Sequence, residues 1–183
     1  IDWTDMQILV FNELNIGYFT NGGDAKSEGL ELTIEATPSE GLTIAGWVSW
    51  GTAELTEAFP PGSQYVGSVG DRIPYSSRFS GNLMLRKEFP ISGQMDGFVS
   101  GQLSYVGDRL GYFQGSSVRQ EYPAYTKADL GAGITSGPWT VNLSINNATD
   151  ERAPLAGGLD GTPTTSFTHI VPRTVALNIS REW

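Results

Sequence analysis

Trp139-Thr140-Val141-Asn142-Leu143-Ser144-Ile145-Asn146-Asn147 puts Trp139, Val141, Leu143 and Ile145 on one face of an extended chain and Thr140, Asn142, Ser144 and Asn146 on the other. No helical period fits; the period of two is that of a strand with one apolar side. The last segment repeats it, with Val171, Val175, Leu177, Ile179 and Trp183 opposing Thr174, Ala176, Asn178, Ser180 and Glu182. Arg173 and Arg181 interrupt the apolar face. If that face meets lipid, a cation costs about 2–4 kcal/mol at the midplane and about 0–1 near an interface. Arg181, next to the strand end, is therefore tolerable, and Arg173 is expected near the opposite interface.

The pattern persists upstream. Ala124, Ala128, Leu130, Ala132 and Ile134 oppose Lys127 and Asp129, and Val99, Leu103 and Tyr105 oppose Ser100, Gln102 and Ser104. Tyr75, Phe79, Leu83, Leu85 and Phe89 oppose Arg78, Ser80, Asn82, Arg86 and Glu88. Leu42, Ile44, Val48 and Trp50 oppose Thr43, Ala45 and Ser49, and Leu30, Leu32, Ile34 and Ala36 oppose Glu31, Thr33 and Glu35. A weaker first strand includes Met6, Ile8 and Val10, giving about eight strands, long enough to cross a bilayer when tilted.

Composition limits the classes. Hydrophobic content is 39%, and no apolar run reaches the roughly 18 residues of a spanning helix, which excludes a helical membrane protein. A membrane barrel remains open, because lipid-facing and lumen-facing positions alternate. A net charge of -9 and a pI near 4.5 argue against nucleic acid, whose affinity comes from cations on phosphates. With no cysteine there is neither a disulfide framework nor a thiolate metal site. The start at Ile1-Asp2-Trp3, without Met or a signal sequence, is read as that of a mature or trimmed fragment.

The connections discriminate further. Tight turns at Pro38-Ser39-Glu40-Gly41, Pro90-Ile91-Ser92-Gly93 and Ser136-Gly137-Pro138 alternate with long Gly-, Pro- and Asp-rich segments over 11–24, 56–73, 108–122 and 149–168. Short and long ends thus segregate to opposite rims, as short periplasmic turns and longer extracellular loops do in outer-membrane barrels. Phe89, Trp139 and Trp183 fall at the short-turn rim and could form one interfacial girdle. Tyr75, Trp50, Tyr105 and Tyr125 lie toward the other strand ends, where a second girdle is expected.

Several segments together resemble a known family. Asp2-Trp3-Thr4-Asp5-Met6-Gln7, then Asn21-Gly22-Gly23-Asp24-Ala25-Lys26-Ser27-Glu28-Gly29-Leu30-Glu31-Leu32, resemble the C-terminal barrel of TonB-dependent outer-membrane receptors. Arg72-Ile73-Pro74, Tyr125-Thr126-Lys127-Ala128-Asp129-Leu130, Ile145-Asn146-Asn147-Ala148-Thr149-Asp150 and Pro172-Arg173 are similar in order and spacing, over nearly the whole chain. The resemblance implies that residues 1–183 are the last strands of an antiparallel barrel of about 22, with the plug domain and earlier strands absent. It implies a receptor in the bacterial outer membrane importing a scarce nutrient, most often a ferric siderophore. Implied partners are outer-membrane lipids and lipopolysaccharide, the rest of the barrel and its plug, TonB through the absent N-terminal region, and the barrel-assembly machinery. The last strand, with Val175, Leu177, Ile179 and terminal Trp183, resembles the family's assembly signal; Arg181 departs from its commoner apolar or Tyr residue.

No catalytic arrangement stands out, and neither enzyme activity nor a cofactor is expected. His169, the single histidine, has no local nucleophile or HExxH-type spacing and reads as a rim residue. Glu28 lies near Glu31 and Glu35, which share a polar face and read as wetted wall residues. Gly131-Ala132-Gly133 sits in a strand and reads as room for close approach. Asn142, Asn147 and Asn178 begin chance N-x-[ST] triplets. The loop acids Asp71, Asp108, Asp150 and Asp160 could bind Ca²⁺ or metal-bridged lipopolysaccharide, though without EF-hand spacing. Ligand contacts are sought among loop aromatics and cations able to hold a bulky, often anionic chelate: Tyr65, Arg109, Tyr112, Phe113, Arg119, Tyr122 and Phe167; loop aromatics equally serve to pack the loops together, and no family motif assigns any of these residues. Two other architectures stay open, a self-contained eight-stranded barrel with Arg78, Arg86, Glu88, Lys127 and Asp129 paired inside, and a soluble β-sandwich or carbohydrate-binding module.

Overall fold

The computed structural model describes residues 1–116, 119–158 and 163–182. Its strands are β1 (Asp2–Trp3), β2 (Gln7–Phe11), β3 (Gly17–Asn21), β4 (Ala25–Ser39), β5 (Leu42–Leu55), β6 (Phe79–Ser92), β7 (Met95–Val106), β8 (Arg109–Leu110), β9 (Glu121–Tyr122), β10 (Tyr125–Ser136), β11 (Trp139–Asn146), β12 (Pro154–Gly157), β13 (Phe167–His169) and β14 (Thr174–Arg181). An antiparallel eight-stranded sheet runs in the order β1-β4-β5-β6-β7-β10-β11-β14, and β2-β3, β8-β9 and β12-β13 are separate hairpins.

The alternation becomes two continuous surfaces because the register keeps like faces together. One row joins Ala36, Ile44, Leu85, Gly101, Leu130, Ile145 and Val175; the next joins Lys87, Val99, Ala132, Leu143 and Leu177. The apolar side chains stand uncovered: Leu30 is 73% and Leu177 65% exposed. A soluble sandwich would bury this face under a second sheet; nothing among the described residues covers it. The opposite face carries Glu31, Glu35, Asn82, Arg86, Gln102, Ser104, Lys127, Asp129, Asn142 and Ser144, with Trp47, Met84 and Phe98 among them.

The three tight turns centre on Glu40–Gly41, Gly93–Gln94 and Gly137–Pro138, each with its glycine at positive φ (67°, 59° and 53°), where a Cβ is disfavoured. The second lies two residues later than the Pro90-Ile91-Ser92-Gly93 reading. Pro38 and Pro90 instead stay within strands, at register shifts between Ala36 and Ser39 and between Pro90 and Ser92, the irregular positions where a residue without N–H is tolerated.

The first strand is corrected. Met6, Ile8 and Val10 do not join the wall: Gln7–Phe11 pairs with Gly17–Asn21 in the loop-side hairpin, and Ile8 and Val10 are buried. The wall begins instead with β1, where Asp2 and Trp3 pair with Lys26 and Ala25. β1 and β14 are the sheet's edges.

Candidate functional site at the loop-bearing rim

Ala25 and Leu55 stand opposite each other at the ends of β4 and β5, on the same face as Glu31, Glu35 and Ser49. They form a small core with Phe113, packed by Met6, Phe59, Tyr65 and Ile73. The connections at 56–73 and 111–116 therefore fold over the polar face, not the apolar one. Phe59 meets Phe113 edge to face at 5.1 Å, and Tyr65 meets Tyr112 at 5.7 Å. Arg72 clasps the same connections together: Nη1 donates to Asp108 Oδ2 at 2.7 Å, and Nη2 donates to the carbonyls of Ser76 and Asp108. The guanidinium holds the Asp108 carboxyl below the usual carboxylate range, chiefly through that hydrogen bond.

A second cluster centres on Tyr122, which is fully buried. Its hydroxyl donates to the Gly157 carbonyl at 2.9 Å, its ring stacks on Tyr75 at 5.5 Å, and Phe167 meets it edge-on at 6.3 Å. Burial pushes the phenol upward, so it remains a donor. Arg109 faces Tyr122 across the β8-β9 pair, with Cζ 5.5 Å from the ring centroid and Nη2 donating to the Pro154 carbonyl at 3.1 Å. Three long connections thus meet at one phenol. A third node is Asn147: its Nδ2 donates to the Glu151 and Val171 carbonyls, both at 2.9 Å, and its N–H donates to Asp129 Oδ1 at 2.7 Å.

Of the seven ligand candidates, the structure gathers Tyr65, Tyr112 and Phe113 in the first cluster and Arg109, Tyr122 and Phe167 in the second. Tyr122 and Phe113 are buried and hold loops together; Tyr65, Tyr112, Arg109 and Phe167 are half-buried, and Arg119 is exposed. The sequence reading missed the β2-β3 hairpin, whose Phe11, Leu14, Ile16 and Phe19 are exposed. Among the loop acids, Asp71 is buried, accepting from the Ser68 N–H at 3.0 Å, Asp108 pairs with Arg72, and Asp150 pairs with Arg152. Asp160 lies outside the described residues, among which no three His, Cys, Asp or Glu side chains gather into a metal-sized group. His169 lies against Phe167, ring centroids 6.3 Å apart.

The aromatics on the wall are partly rearranged. Phe89 and Trp139 stand at the short-turn rim, with Arg181 Cζ 5.4 Å from the Trp139 ring centroid; Trp183 lies outside the described residues. At the other end Trp50 pairs with Phe79, whose ring is 5.7 Å from Tyr105. Tyr75 leaves the proposed girdle: it precedes β6, has φ 62° and stacks on Tyr122. Tyr125 is opposite Val106 in the rows of the polar face, so it too leaves the apolar surface. From Phe79 to Phe89 is ten residues, roughly 34 Å of strand; at the roughly 35–45° tilt of barrel strands this rises about 24–28 Å, matching an apolar band about 25 Å tall.

The family model described as TonB dependent receptor-like, beta-barrel, matches residues 1–148. The chain belongs to this family. The metal-pseudopaline receptor CntO of Pseudomonas aeruginosa is 31% identical over 147 residues, covering 79% of this chain and 20% of CntO. The ferric yersiniabactin uptake receptor FyuA from Yersinia pestis superposes with a TM-score of 0.74 at 19% identity, over 100% of this chain and 26% of that one. The ferric preacinetobactin receptor BauA from Acinetobacter baumannii gives 0.71 at 18% identity, over 99% and 25%. The chain thus spans a fifth of the curated receptor and about a quarter of the solved ones. TonB-dependent receptors are outer-membrane proteins of Gram-negative bacteria, and they are receptors and transporters, not enzymes. In that setting the apolar face of this sheet meets lipid and the polar face lines the lumen.

Proposed function

We propose that residues 1–183 are the C-terminal part of a longer TonB-dependent receptor that imports a metal chelate, a ferric siderophore above all. The observation that carries this is the sheet itself: a lipid-facing wall whose long connections fold inward over the luminal face, where an incoming ligand must pass. β1 contributes two residues against the fifteen of β4, so most of that edge needs a further strand, because unpaired backbone groups cannot be left in hydrocarbon. Receptors of iron chelates share the architecture and a metal-pseudopaline receptor shares the sequence, which supports metal uptake as the activity.

In the full receptor, a plug fills the lumen beside Glu31, Glu35 and the paired Arg86–Glu88 and Lys127–Asp129, and TonB engages a segment N-terminal to the plug. Lipid and lipopolysaccharide surround the apolar band. The assembly machinery reads the last strand, through Val175, Leu177, Ile179 and Trp183. Ligand contacts fall to Tyr65, Arg109, Tyr112, Arg119 and Phe167, with Phe113 and Tyr122 fixing the loops that present them. The test is accumulation of radioactive iron, supplied as a panel of ferric siderophores, by cells with and without the full-length receptor gene and with and without TonB. Uptake of at least one chelate that requires both supports the reading; accumulation indifferent to the receptor across the panel contradicts it.

A further inference from the structure

The β2-β3 hairpin has two apolar faces, of which one is covered. Ile8 and Val10, opposite Thr20 and Tyr18, are buried. The 60–64 segment runs along β2 beside them: the Phe11 N–H donates to the Gly62 carbonyl and the Gln64 N–H to the Leu9 carbonyl, both at 2.8 Å, and Ser63 bridges to Val10. On the other face Leu9 and Phe11 flank Gly17 so closely that a Cβ there would lie 3.2 Å from each, and Phe19, opposite Leu9, is 73% exposed. The tip is held by Asn12, whose Oδ1 accepts the N–H groups of Leu14 and Ile16 at 3.0 and 2.9 Å, while both apolar side chains stay exposed.

An apolar face presented by a hydrogen-bonded turn is a surface that another surface covers. Charge excludes two occupants. No Lys or Arg occurs from Ile1 to Ala25, and Glu13 is the one charged residue within 6–23. Lipopolysaccharide phosphates and an anionic chelate both call for cations, so the occupant is an apolar stretch of protein. Placement says which. The order β3, β2, 60–64 leaves β3 outermost, away from the β5-β6 connection, and the outer edge of β3 joins no ladder among the described residues. The hairpin connects β1 to β4, at the edge of the wall where β4 lacks most of its partner.

We infer that the Leu9, Phe11 and Phe19 face, with Leu14 and Ile16 at its tip, packs against the first extracellular connection upstream of Ile1 in the same receptor. This rests on the reading of residues 1–183 as the end of a longer barrel. β1 is antiparallel to β4, with Asp2 opposite Lys26 and Trp3 opposite Ala25, so the chain before Ile1 continues down β4 to the short-turn rim. The strand before that one descends from the long-loop rim. Its connection therefore ends about 30 residues upstream of Ile1, given strands of this length and short periplasmic turns, and stands beside the hairpin. The open edge of β3 also offers it main-chain groups for an added strand.

The test places the photoprobe p-benzoylphenylalanine at position 19, and separately at position 14, of the full-length receptor, irradiates cells that produce it, and maps the adducts by mass spectrometry. The same probe at position 65 calibrates the chemistry, since the Tyr65 and Tyr112 ring centroids are 5.7 Å apart and an adduct in the 111–116 segment is expected. Position 19 should give an intramolecular adduct in the upstream connection, shared by position 14 and lost when the receptor is heat-unfolded before irradiation. Adducts only to lipopolysaccharide, another protein, a second copy or residues 1–183 would overturn the contact, as would none from 14 and 19 while position 65 reacts. A gene without barrel strands upstream of Ile1 refutes the longer barrel and the contact together. The adduct in a receptor that accumulates no iron refutes uptake and leaves the contact; uptake with position 19 uncovered does the reverse.

Discussion

Leu143 and Asn142 are neighbours in sequence and belong to different solvents. Leu143 pairs with Ala132 and Leu177 in the lipid-facing row, while Asn142 pairs with Gly133 and Asn178 on the luminal side. In the full barrel, Leu143→Arg should cost about 2–4 kcal/mol and Asn142→Arg much less, read by denaturant unfolding in bilayers; equal costs would reverse the facing. Lys87 shows how a cation is accommodated in the outer row: it is opposite Val99, and its ammonium donates to the Glu40 carbonyl in the short turn at 2.6 Å, snorkelling toward the interface. Asn147, 1% exposed and at φ 52°, works by several hydrogen bonds at once. Asn147→Gly keeps the backbone shape and removes the side-chain bonds, so segment 148–153 should become protease-sensitive, with about 1–3 kcal/mol lost per buried group left unpaired. Leu143 and Asn142 were legible because a period of two needs only local sequence. The structural role of Asn147, which the sequence marks only as part of a family-like segment and a chance N-x-[ST] triplet, was not legible, since Val171, which its amide holds, is 24 positions away.

At the scale of elements, the same period explains one success and one failure. It located the long wall strands, and it also drew in Met6, Ile8 and Val10, because a hairpin with one buried face alternates just as a barrel strand does. Period tells strand from helix but not one sheet from another. The loop clusters were opaque for a different reason: Tyr122 and Phe113 stood among loop aromatics that equally suit ligand contact or loop packing, and only the convergence of three connections decides that they are buried. Tyr122→Phe removes the bond to Gly157 while keeping the ring, so amide exchange over 154–157 and 167–169 should quicken with wall strands unchanged. Unchanged exchange in both hairpin strands would deny the latch. The Arg72–Asp108 clasp carries a pH dependence. Because the folded-state carboxyl of Asp108 is depressed, its contribution is present above the unfolded value near 3.9 and is lost as pH falls through the lower folded value. Exchange of the 107–110 segment should therefore rise only below about pH 4 and, in Asp108→Asn, already be raised at neutral pH.

For the whole molecule, the apolar band, the cations at its margins and the inward-folded loops are what the proposed larger cylinder requires of one of its walls. Lys87 and Arg181 mark its short-turn edge, and Lys26–Glu28 continue the outer row above Leu30 beyond the Trp50–Phe79 level. The paired Arg86–Glu88 and Lys127–Asp129 were anticipated for a self-contained barrel, and they suit the wetted wall of a larger one equally well. Residues 1–183 hold no cysteine, so single Leu143→Cys and Asn142→Cys variants of this segment, in a full receptor whose other cysteines, where present, are replaced by Ser, can carry nitroxide labels in bilayers. The label at 143 should relax with lipid-soluble oxygen and the label at 142 with a water-soluble nickel chelate; the opposite pairing would contradict the account.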